Sequence, residues 1–170
     1  RVMVVQDSGC EAASAGETIV VSPGISIDMQ PANGEICQGG IWNLSVIASG
    51  FPNLMYQWQD SIVTGQWQNV TASGGTASSF ITDPLTETTY YRVIISAAGN
   101  GCSEVFSVAT QVIVVADPMV ITSSMDDLYC VGESVPMSVT VTGGTGASQY
   151  QWQSFDGTNW SNVGLNASSY

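Results

Sequence analysis

The tetrapeptide YQWQ occurs twice in the chain, at residues 56–59 and again at residues 150–153. A second tryptophan follows each copy, Trp67 after the first and Trp160 after the second. Alternate residues of an extended strand face the same side, so the tyrosine and the first tryptophan share one face. Paired aromatic side chains on one face are typical of core positions. The motif therefore predicts a core strand that the chain uses twice.

The two copies of YQWQ belong to a longer internal repeat. Cys37 and Cys130 are 93 residues apart, as are Trp67 and Trp160. The opening decapeptide RVMVVQDSGC also resembles RVIISAAGNGC at residues 92–102. A nearly constant offset of this size is the length of one domain, which indicates tandem modules.

The repeat divides the chain into three segments. Residues 1–23 are predicted to be the C-terminal strands of one repeat, residues 24–117 a complete repeat, and residues 118–170 the N-terminal part of a third. The predicted linkers SPG (22–24) and ADP (116–118) contain proline, which cannot donate to a strand ladder. Because both ends fall in strand-like sequence, we expect a window of a longer array with closely coupled neighbours.

Strand patterns fill the complete repeat, and no capped helical pattern is present. Three segments alternate with a period of two. Their predicted inward residues are Trp42, Leu44, Val46 and Ala48 in WNLSVIA, Leu54, Tyr56 and Trp58 in LMYQWQ, and Tyr91, Val93 and Ile95 in TTYYRVIIS. A central-strand tryptophan, a tyrosine in the penultimate strand and a period of about 93 residues predict an all-β fold of tandem immunoglobulin-like β-sandwich repeats.

The amino-acid composition argues against several classes of function. Lys and Arg together number 2 against 14 Asp and Glu, His is absent, and the formal net charge is -12. This charge repels nucleic acid and acidic membrane surfaces. No apolar run approaches the roughly 18 residues of a membrane helix. Because the usual general bases and amine nucleophiles are missing, we predict no catalytic residue and no enzymatic activity.

Six motifs of the repeat occur in combination: ICQGG (36–40), YQWQ (56–59), GQWQNV (65–70), LTETTYYRV (85–93), GNGCS (99–103) and VIVVADP (112–118). Together they resemble the immunoglobulin-like repeats of giant Bacteroidetes cell-surface adhesins, the class that includes gliding-motility adhesins. The resemblance implies a secreted, outer-membrane-associated tandem array, exported by the type IX system, that forms an adhesive filament. Its implied partners are neighbouring repeats, surface polysaccharide or other cell-surface proteins. The alternative is an accessory carbohydrate-binding module of a secreted polysaccharide-degrading enzyme.

Each repeat contributes two cysteines, and the four are Cys10, Cys37, Cys102 and Cys130. Without His or CxxC spacing, disulfides in an oxidising exterior are favoured over metal ligation. Cys37 and Cys102 are predicted at opposite ends of the sandwich, each roughly 25–30 Å from its middle. A disulfide requires Cα atoms within about 7 Å. Two pairings stay open: a bond between Cys37 and Cys102, or bonds that join consecutive repeats.

Three surface features are further candidates. By the same resemblance, Asp60-Ser61-Ile62 matches a Bacteroidetes O-glycosylation pattern in a predicted turn, so Ser61 is a candidate for a sugar, with an ordinary polar turn as the alternative. Trp67 and Trp160 are candidate glycan contacts, with outward glutamines beside them, although we favour packing of Trp67 under its hairpin. Arg92 is predicted to stack on an aromatic ring or to pair with an acid.

Calcium is the one cofactor for which the sequence contains candidate ligands. Carboxylates near the second linker, at Asp117, Asp126, Asp127 and Glu133, supply oxygens of the kind that calcium prefers between domains. No dense DxDxDG loop is present, and we favour a solvated acidic surface. The sequence therefore predicts no cofactor and no metal-ligand residue, with calcium as the alternative.

Overall fold

The computed structural model describes residues 1–98, 103–122 and 128–170. Within these ranges the chain forms sixteen β-strands and no helix, which confirms the all-β prediction. In chain order the strands are β1 (Met3–Val5), β2 (Glu11–Ala13), β3 (Ser26–Met29), β4 (Gly34–Cys37), β5 (Asn43–Ser45), β6 (Ile47–Ser49), β7 (Leu54–Ser61), β8 (Gln68–Asn69), β9 (Ser79–Ile81), β10 (Thr89–Ala97), β11 (Val105–Phe106), β12 (Thr110–Val115), β13 (Met119–Thr122), β14 (Thr140–Thr142), β15 (Trp152–Phe155) and β16 (Trp160–Val163).

The larger sheet of the central unit contains the first YQWQ. Its strands lie in the order β4-β12-β10-β7-β8, and β11 also pairs with β10. The longest ladder joins β7 and β10 antiparallel, from Tyr90 opposite Ser61 to Ala97 opposite Leu54. This ladder places the YQWQ strand next to the strand of TTYYRVIIS, the two segments with the clearest period of two.

The second layer is built from two short antiparallel ladders. β3 pairs with β6, and β5 pairs with β9. The segment WNLSVIA, predicted as one strand, is divided between β5 and β6 because its two halves have different partners. Inward and outward residues still alternate from β5 into β6, so Leu44 and Val46 both face the core.

The core lies between the two layers and contains the predicted inward residues. Trp58, Leu44, Val93 and Ile95 are fully buried, whereas Met55, on the opposite face of β7, is half exposed. The buried hydrophobic residues of the cluster are Ile36, Leu44, Val46, Trp58, Phe80, Tyr91, Val93, Ile95 and Val112. Complete burial of one large apolar side chain contributes about 1.5–3 kcal/mol. Two packed layers with this strand order form an immunoglobulin-like β-sandwich.

One edge of the larger sheet is completed by a parallel strand. β4 runs parallel to β12, with Cys37 opposite Val115. A Cβ at Gly34 would lie 2.4 Å from Cε2 of Trp42, so the absence of a side chain lets the indole pack directly on β4. Cys37 therefore lies at the end of the sandwich where the chain leaves the central unit after β12. β10 runs antiparallel to β12 and ends with Ala97 at the other end.

Residues 118–170 repeat the geometry of the second layer. The ladder β13–β14 has the same register as β3–β6, with every pair displaced by 93 residues, and both ladders shift register after the second pair. The pairs are Ser26–Ser49, Ile27–Ala48 and Met29–Ile47 in the central unit, and Met119–Thr142, Val120–Val141 and Thr122–Thr140 in the later segment. The sequence repeat is thus also a repeat of backbone pairing.

Each predicted linker packs against a glycine that has a positive φ. Gly50 has φ 117° and Gly143 has φ 77°. A Cβ on Gly50 would lie 2.2 Å from the carbonyl oxygen of Gly24, and a Cβ on Gly143 would lie 2.5 Å from that of Asp117. No side chain fits at either position, so both linkers enter their units in the same way. The domain boundaries themselves stay a prediction.

Residues 1–23 repeat a hairpin in which a serine side chain joins the ladder. In the central unit, Val93 N donates to Ser107 Oγ at 2.9 Å, and Ser107 N donates to Val93 O at 3.0 Å. In the first segment, Val2 N donates to Ser14 Oγ, and Ser14 N donates to Val2 O, both at 2.9 Å. The hydroxyl replaces a backbone carbonyl at the same point of both hairpins.

Candidate functional site

The tryptophan of each YQWQ copy donates a hydrogen bond to a backbone carbonyl of a later segment of the chain. Trp58 Nε1 donates to the carbonyl oxygen of Ala77 at 2.9 Å, and Trp152 Nε1 donates to that of Ala167 at 2.9 Å. Each indole also contacts a second ring, at centroid distances of 6.2 Å for Trp58–Phe80 and 5.9 Å for Trp152–Tyr170. The motif recurs because this arrangement of indole, carbonyl and ring recurs.

The first glutamine of the motif forms hydrogen bonds to the backbone of its own β7–β8 hairpin. Gln57 Nε2 donates to the carbonyl oxygens of Trp58, at 2.8 Å, and Val70, at 3.2 Å. Gln151 makes the equivalent bonds to Trp152 O at 2.9 Å and Val163 O at 3.2 Å. Gln57 lies on the face opposite Trp58, as predicted, and its amide folds back onto its own hairpin.

The second glutamine is also engaged, and it orients a cation. Gln59 Nε2 donates to Asn69 Oδ1 at 2.8 Å, and Gln153 Nε2 donates to Asn162 Oδ1 at 2.9 Å. Since the amide nitrogen of Gln59 is held by Asn69, its Oε1 points away from that partner. This oxygen accepts a hydrogen bond from Nε of Arg92 at 2.8 Å.

Arg92 is held between two aromatic rings on the outer face of the larger sheet. Its guanidinium carbon lies 4.4 Å from the centre of the Trp67 ring and 4.9 Å from that of Phe106. Of the two predictions made for Arg92, the aromatic stack is the one that the structure contains. Trp67 is half-buried beneath this cation, so a sugar would have to share or displace the arginine. A glycan contact at Trp67 stays a prediction.

The second tryptophan of the later copy is open to solvent. Trp160 is 65% exposed, and its ring centroid lies 5.0 Å from that of Phe155, which is 53% exposed. No arginine covers this pair within the described ranges, since the stacked cation of the chain is Arg92 on Trp67 and Phe106. Among the two glycan candidates, Trp160 presents the larger free aromatic surface.

A cleft of about 480 Å³ opens between the two layers beside β8 and reaches the core. Asp60, Asp83 and Tyr91 are among its lining residues, and Oδ1 of Asp60 is buried without a hydrogen-bond partner in the described part of the chain. Burial, followed by the negative charges of Asp60 and Asp83, raises the pKa of Tyr91 to about 12. At neutral pH the phenol is therefore protonated, and the cleft presents carboxylates and a hydroxyl.

Ser61 does not lie in a turn, as predicted, but in the last position of β7. Asp60 and Ser61 continue the strand because they pair with Tyr91 and Tyr90 of β10. Ser61 is 1% exposed, and its hydroxyl donates to the carbonyl oxygen of Val63. Attachment of a sugar would require this hydroxyl to leave its buried position. O-glycosylation at Ser61 stays a prediction.

The structure describes three of the four cysteines. Cys10 and Cys130 are exposed, and Cys37 is half-buried. Cys102 lies outside the described residues. The three described cysteines form no disulfide, and both predicted pairings stay predictions.

Two cavities lie at the junctions of the central unit with its neighbours. Cys37 lines one of about 520 Å³ together with Pro118 and Val141 of the later segment. Ser103 lines another of about 550 Å³ together with Pro23 of the first linker. The strand that ends at Cys37 and the loop that contains Ser103 thus face different junctions.

In the described ranges, no group of three or more His, Cys, Asp or Glu residues is arranged to hold a metal ion. Asp126 and Asp127 lie outside those ranges, so the calcium alternative stays a prediction. No helix in the described chain has the length and apolar character needed to cross a bilayer.

A family profile described as "Domain of unknown function (DUF8696)" matches residues 29–116, just over half of the 170 residues. The chain belongs to the DUF8696 family. The matched region begins in β3 and ends directly after β12, so the DUF8696 unit coincides with the central sandwich. No curated protein matches the chain.

Solved structures similar to this DUF8696 chain are immunoglobulin domains of other proteins. A chimeric titin Z1Z2 with an exogenous peptide from decorin is 16% identical, with a TM-score of 0.43, over 86% of this chain and 84% of the other. Sidekick-1 immunoglobulin domains 1–4 are 14% identical, with a TM-score of 0.48, over 83% of this chain and 40% of the other. The Ig1-2 module of the Drosophila receptor tyrosine phosphatase DLAR is 18% identical, with a TM-score of 0.40, over 71% and 67%.

Proposed function

We propose that this DUF8696 chain is a structural and adhesive repeat segment of a large secreted cell-surface filament, of the kind that Bacteroidetes use for surface adhesion and gliding motility. The observation that carries the proposal is the ladder β13–β14, which repeats the register of β3–β6 at an offset of 93 residues. A chain that rebuilds the same pairing one domain length later is organised as an array, and arrays of sandwiches form extended rods.

The linkers support an extended arrangement. Residues 22–24 and 116–118 are short, and each is packed against the turn glycine of the unit that it enters. Short, packed linkers restrict the angles between neighbouring units. The partners proposed for the filament are its own neighbouring repeats, surface polysaccharide and other cell-surface proteins.

Charge and chemistry are consistent with this role and with an extracellular location at the outer membrane. A formal net charge of -12 disfavours nucleic acid and anionic lipid surfaces as partners. The proposed role includes no catalytic step. Export by the type IX system and disulfides formed by the cysteines in an oxidising exterior are part of the proposal.

Antibody labelling of intact cells tests the location and the role together. Fab fragments raised against residues 24–117 are expected to label non-permeabilised source cells and to reduce their attachment to surfaces. Fab fragments of unrelated specificity are the control. Labelling that requires permeabilisation would contradict the proposal, and so would surface labelling without any change in attachment or movement.

The second candidate is an accessory carbohydrate-binding module of a secreted polysaccharide-degrading enzyme. The 65% exposure of Trp160 favours it, because sugar rings stack on open aromatic faces. Affinity electrophoresis in gels with embedded polysaccharide distinguishes the candidates. Retardation that is lost in Trp160→Ala and kept in Trp67→Ala supports the carbohydrate module. Equal mobility of both variants and the parent, with and without polysaccharide, removes it.

A further inference from the structure

The cleft beside β8 lies within the central unit. Its described lining residues fall between Asp60 and Tyr91, in strands and loops of both layers. Its volume of about 480 Å³ is in the range of pockets that hold small organic ligands. The cleft is therefore a property of one sandwich and does not depend on a junction with a neighbouring unit.

One end of the larger sheet carries a row of polar side chains on its core face. Asp60 pairs with Gln68 of β8 on one side and with Tyr91 of β10 on the other. Paired residues of neighbouring antiparallel strands face the same side of a sheet. Asp60 follows Trp58 by two positions, so this row continues the inward face of the YQWQ strand. An acidic side chain therefore occupies an inward position at the edge of the core.

Oδ1 of Asp60 is buried and has no hydrogen-bond partner in the described part of the chain. The two basic side chains of the sequence are Arg1 and Arg92. Arg92 is held on the outer face of the sheet between Trp67 and Phe106. A buried carboxylate oxygen without a partner costs free energy, because the water that it loses is not replaced. A ligand that brings a positive charge into the cleft would remove this cost.

The repeated framework does not require this carboxylate. The second YQWQ is followed by Ser154, where the first is followed by Asp60. Ser154 pairs with Ser161 as Asp60 pairs with Gln68, at the same point of the two hairpins. The hydrogen bond of the indole to a later carbonyl is present in both copies. The acid is thus an addition to the framework, and its role lies outside the folding of the repeat.

A second carboxylate lines the cleft from the loop that follows β9. This is Asp83, and its charge acts on the same hydroxyl group as that of Asp60. Burial, followed by these two negative charges, raises the pKa of Tyr91 to about 12. The cleft therefore has a negative potential that favours a cationic ligand over a neutral one.

The remaining lining residues suit a ring that bears hydroxyl groups. Gln68 and Thr71 have side chains that exchange hydrogen bonds with hydroxyls. Val70 and Leu85, both half-buried, supply apolar surface. A sugar ring has both characters, because its hydroxyls form hydrogen bonds and its C–H groups pack on apolar side chains. An amine on such a ring would supply the positive charge that the carboxylates lack.

We propose that this cleft binds an amino sugar whose amine is free and positively charged. The ammonium group lies against Asp60 and Asp83, and the ring hydroxyls form hydrogen bonds with Gln68 and Thr71. A charge-assisted hydrogen bond to a carboxylate is stronger than one between neutral groups, so the amine determines the specificity. A bare metal ion would leave most of the volume of the cleft unfilled. The inference concerns the cleft alone and does not rest on the proposed function.

Titration of the 170-residue chain, followed by nuclear magnetic resonance, tests the proposal. The disaccharide of glucosamine is the probe, and the same disaccharide with both amines acetylated is the uncharged control. The probe is expected to shift the backbone amides of β8 and of residues 70–72, with a dissociation constant in the millimolar range or tighter. The control is expected to bind at least about tenfold more weakly. Equal binding of the two sugars, or no shift at the cleft with the probe, overturns the proposal.

A matched pair of variants separates the cleft from general attraction of a cation to an acidic protein. Asp60→Asn keeps the shape of the side chain and removes its charge, and it is expected to weaken binding of the glucosamine disaccharide at least about tenfold. Glu35→Gln removes the same charge from an exposed position of β4. It is expected to change the dissociation constant by less than about twofold, because solvent and salt screen that charge. Equal effects of the two variants contradict binding in the cleft.

The stability of the Asp60 variants without sugar is a second readout. Asp60→Asn and Asp60→Ser, the latter with the side chain that the second copy has at residue 154, are expected to melt at or above the temperature of the parent. Each removes a carboxylate oxygen that has no partner in the described chain. Lost binding with unchanged or raised stability supports a ligand role. A lower melting temperature of both variants would assign Asp60 to the fold and overturn the proposal.

Two further ligands show which part of the sugar is recognised. Nα-acetyl-lysine amide carries an ammonium group without a sugar ring, and calcium chloride supplies a divalent cation. Each is expected to bind the cleft at least about tenfold more weakly than the glucosamine disaccharide. Comparable binding of the lysine derivative would assign the cleft to a side chain of a partner protein, and comparable binding of calcium would assign it to a metal, so either result overturns the proposal. Surface labelling tests the filament separately, and failure here leaves that proposal unaffected.

Discussion

The guanidinium carbon of Arg92 lies 4.4 Å from the centre of the Trp67 ring. The arginine comes from the middle of the larger sheet and the tryptophan from the loop that precedes its edge strand, so the contact closes the β7–β8 hairpin over the sheet. A planar guanidinium suits this position because it stacks on a ring while its Nε donates to Gln59.

A double-mutant cycle measures the strength of this contact. Arg92→Ala and Trp67→Ala are each expected to destabilise the central unit, and the coupling free energy between them is expected to be about 1 kcal/mol. Urea unfolding of the parent, the two single variants and the double variant supplies the values. Arg92→Lys is the charge-retaining control and should recover less than half of the loss. Strictly additive effects would show that the stack contributes nothing measurable.

Alkaline pH is expected to weaken the fold through Tyr91. Its pKa is about 12 in the folded chain, against an ordinary value of about 10, so between these pH values the unfolded chain loses a proton that the folded chain keeps. The contribution is fully present below pH 10 and is lost as the pH rises through 12, by about 3 kcal/mol in total. Urea unfolding at a series of pH values should show a steeper loss for the parent than for Tyr91→Phe. Identical slopes would contradict the assignment.

Ser107 and Ser14 make the same hydrogen bonds in different surroundings. Ser107 is 6% exposed, whereas Ser14 lies at the surface. Ser107→Ala leaves the buried amide of Val93 without its acceptor and is expected to cost about 1–3 kcal/mol of unfolding free energy. Ser14→Ala lets water replace the hydroxyl and should cost less than about 0.5 kcal/mol. Chemical denaturation of both variants checks the difference, and similar losses at the two sites would refute the importance of burial.

Gly34 is expected to tolerate no side chain. A Cβ there would lie 2.4 Å from the Trp42 ring, whereas a Cβ at Gly24 would have no atom within 4 Å. Gly34→Ala should therefore destabilise the fold by about 1–3 kcal/mol, because the indole must move out of its place beside β4. Gly24→Ala is the matched control, with an expected change of less than about 0.5 kcal/mol. Thermal unfolding distinguishes them, and equal melting temperatures would show that Trp42 moves freely.

Much of the fold could be predicted because a period of two identifies buried faces without knowledge of strand partners. Leu44, Trp58 and Val93 were predicted to face inward, and all are fully buried. Which strands pair depends on contacts between residues that are distant in sequence, and the alternation within one strand does not show these contacts. The parallel addition of β4 to β12 and the division of WNLSVIA between two ladders were therefore not foreseen.

The candidate site was less predictable than the core. The glutamines of YQWQ are polar and alternate with core residues, so they were predicted to face solvent, yet Gln57 bonds to its own hairpin. A signal for one missed contact was available: ASSF at residues 77–80 recurs as ASSY at 167–170, and these stretches supply the carbonyls of Ala77 and Ala167 that accept the tryptophan bonds. This second short repeat, at an offset of 90 residues, accompanies the repeat of YQWQ.

The parallel pairing of β4 with β12 determines how the unit responds to a stretching force. The chain enters near Gly24 and leaves after Val115, at the opposite end of the sandwich. Tension on the two linkers therefore pulls β4 and β12 past each other along their own axes, and the hydrogen bonds between them resist in shear, all together. If the force acted across the strands instead of along them, the hydrogen bonds would break one after another. A sandwich joined in this way is suited to carry load along a thread.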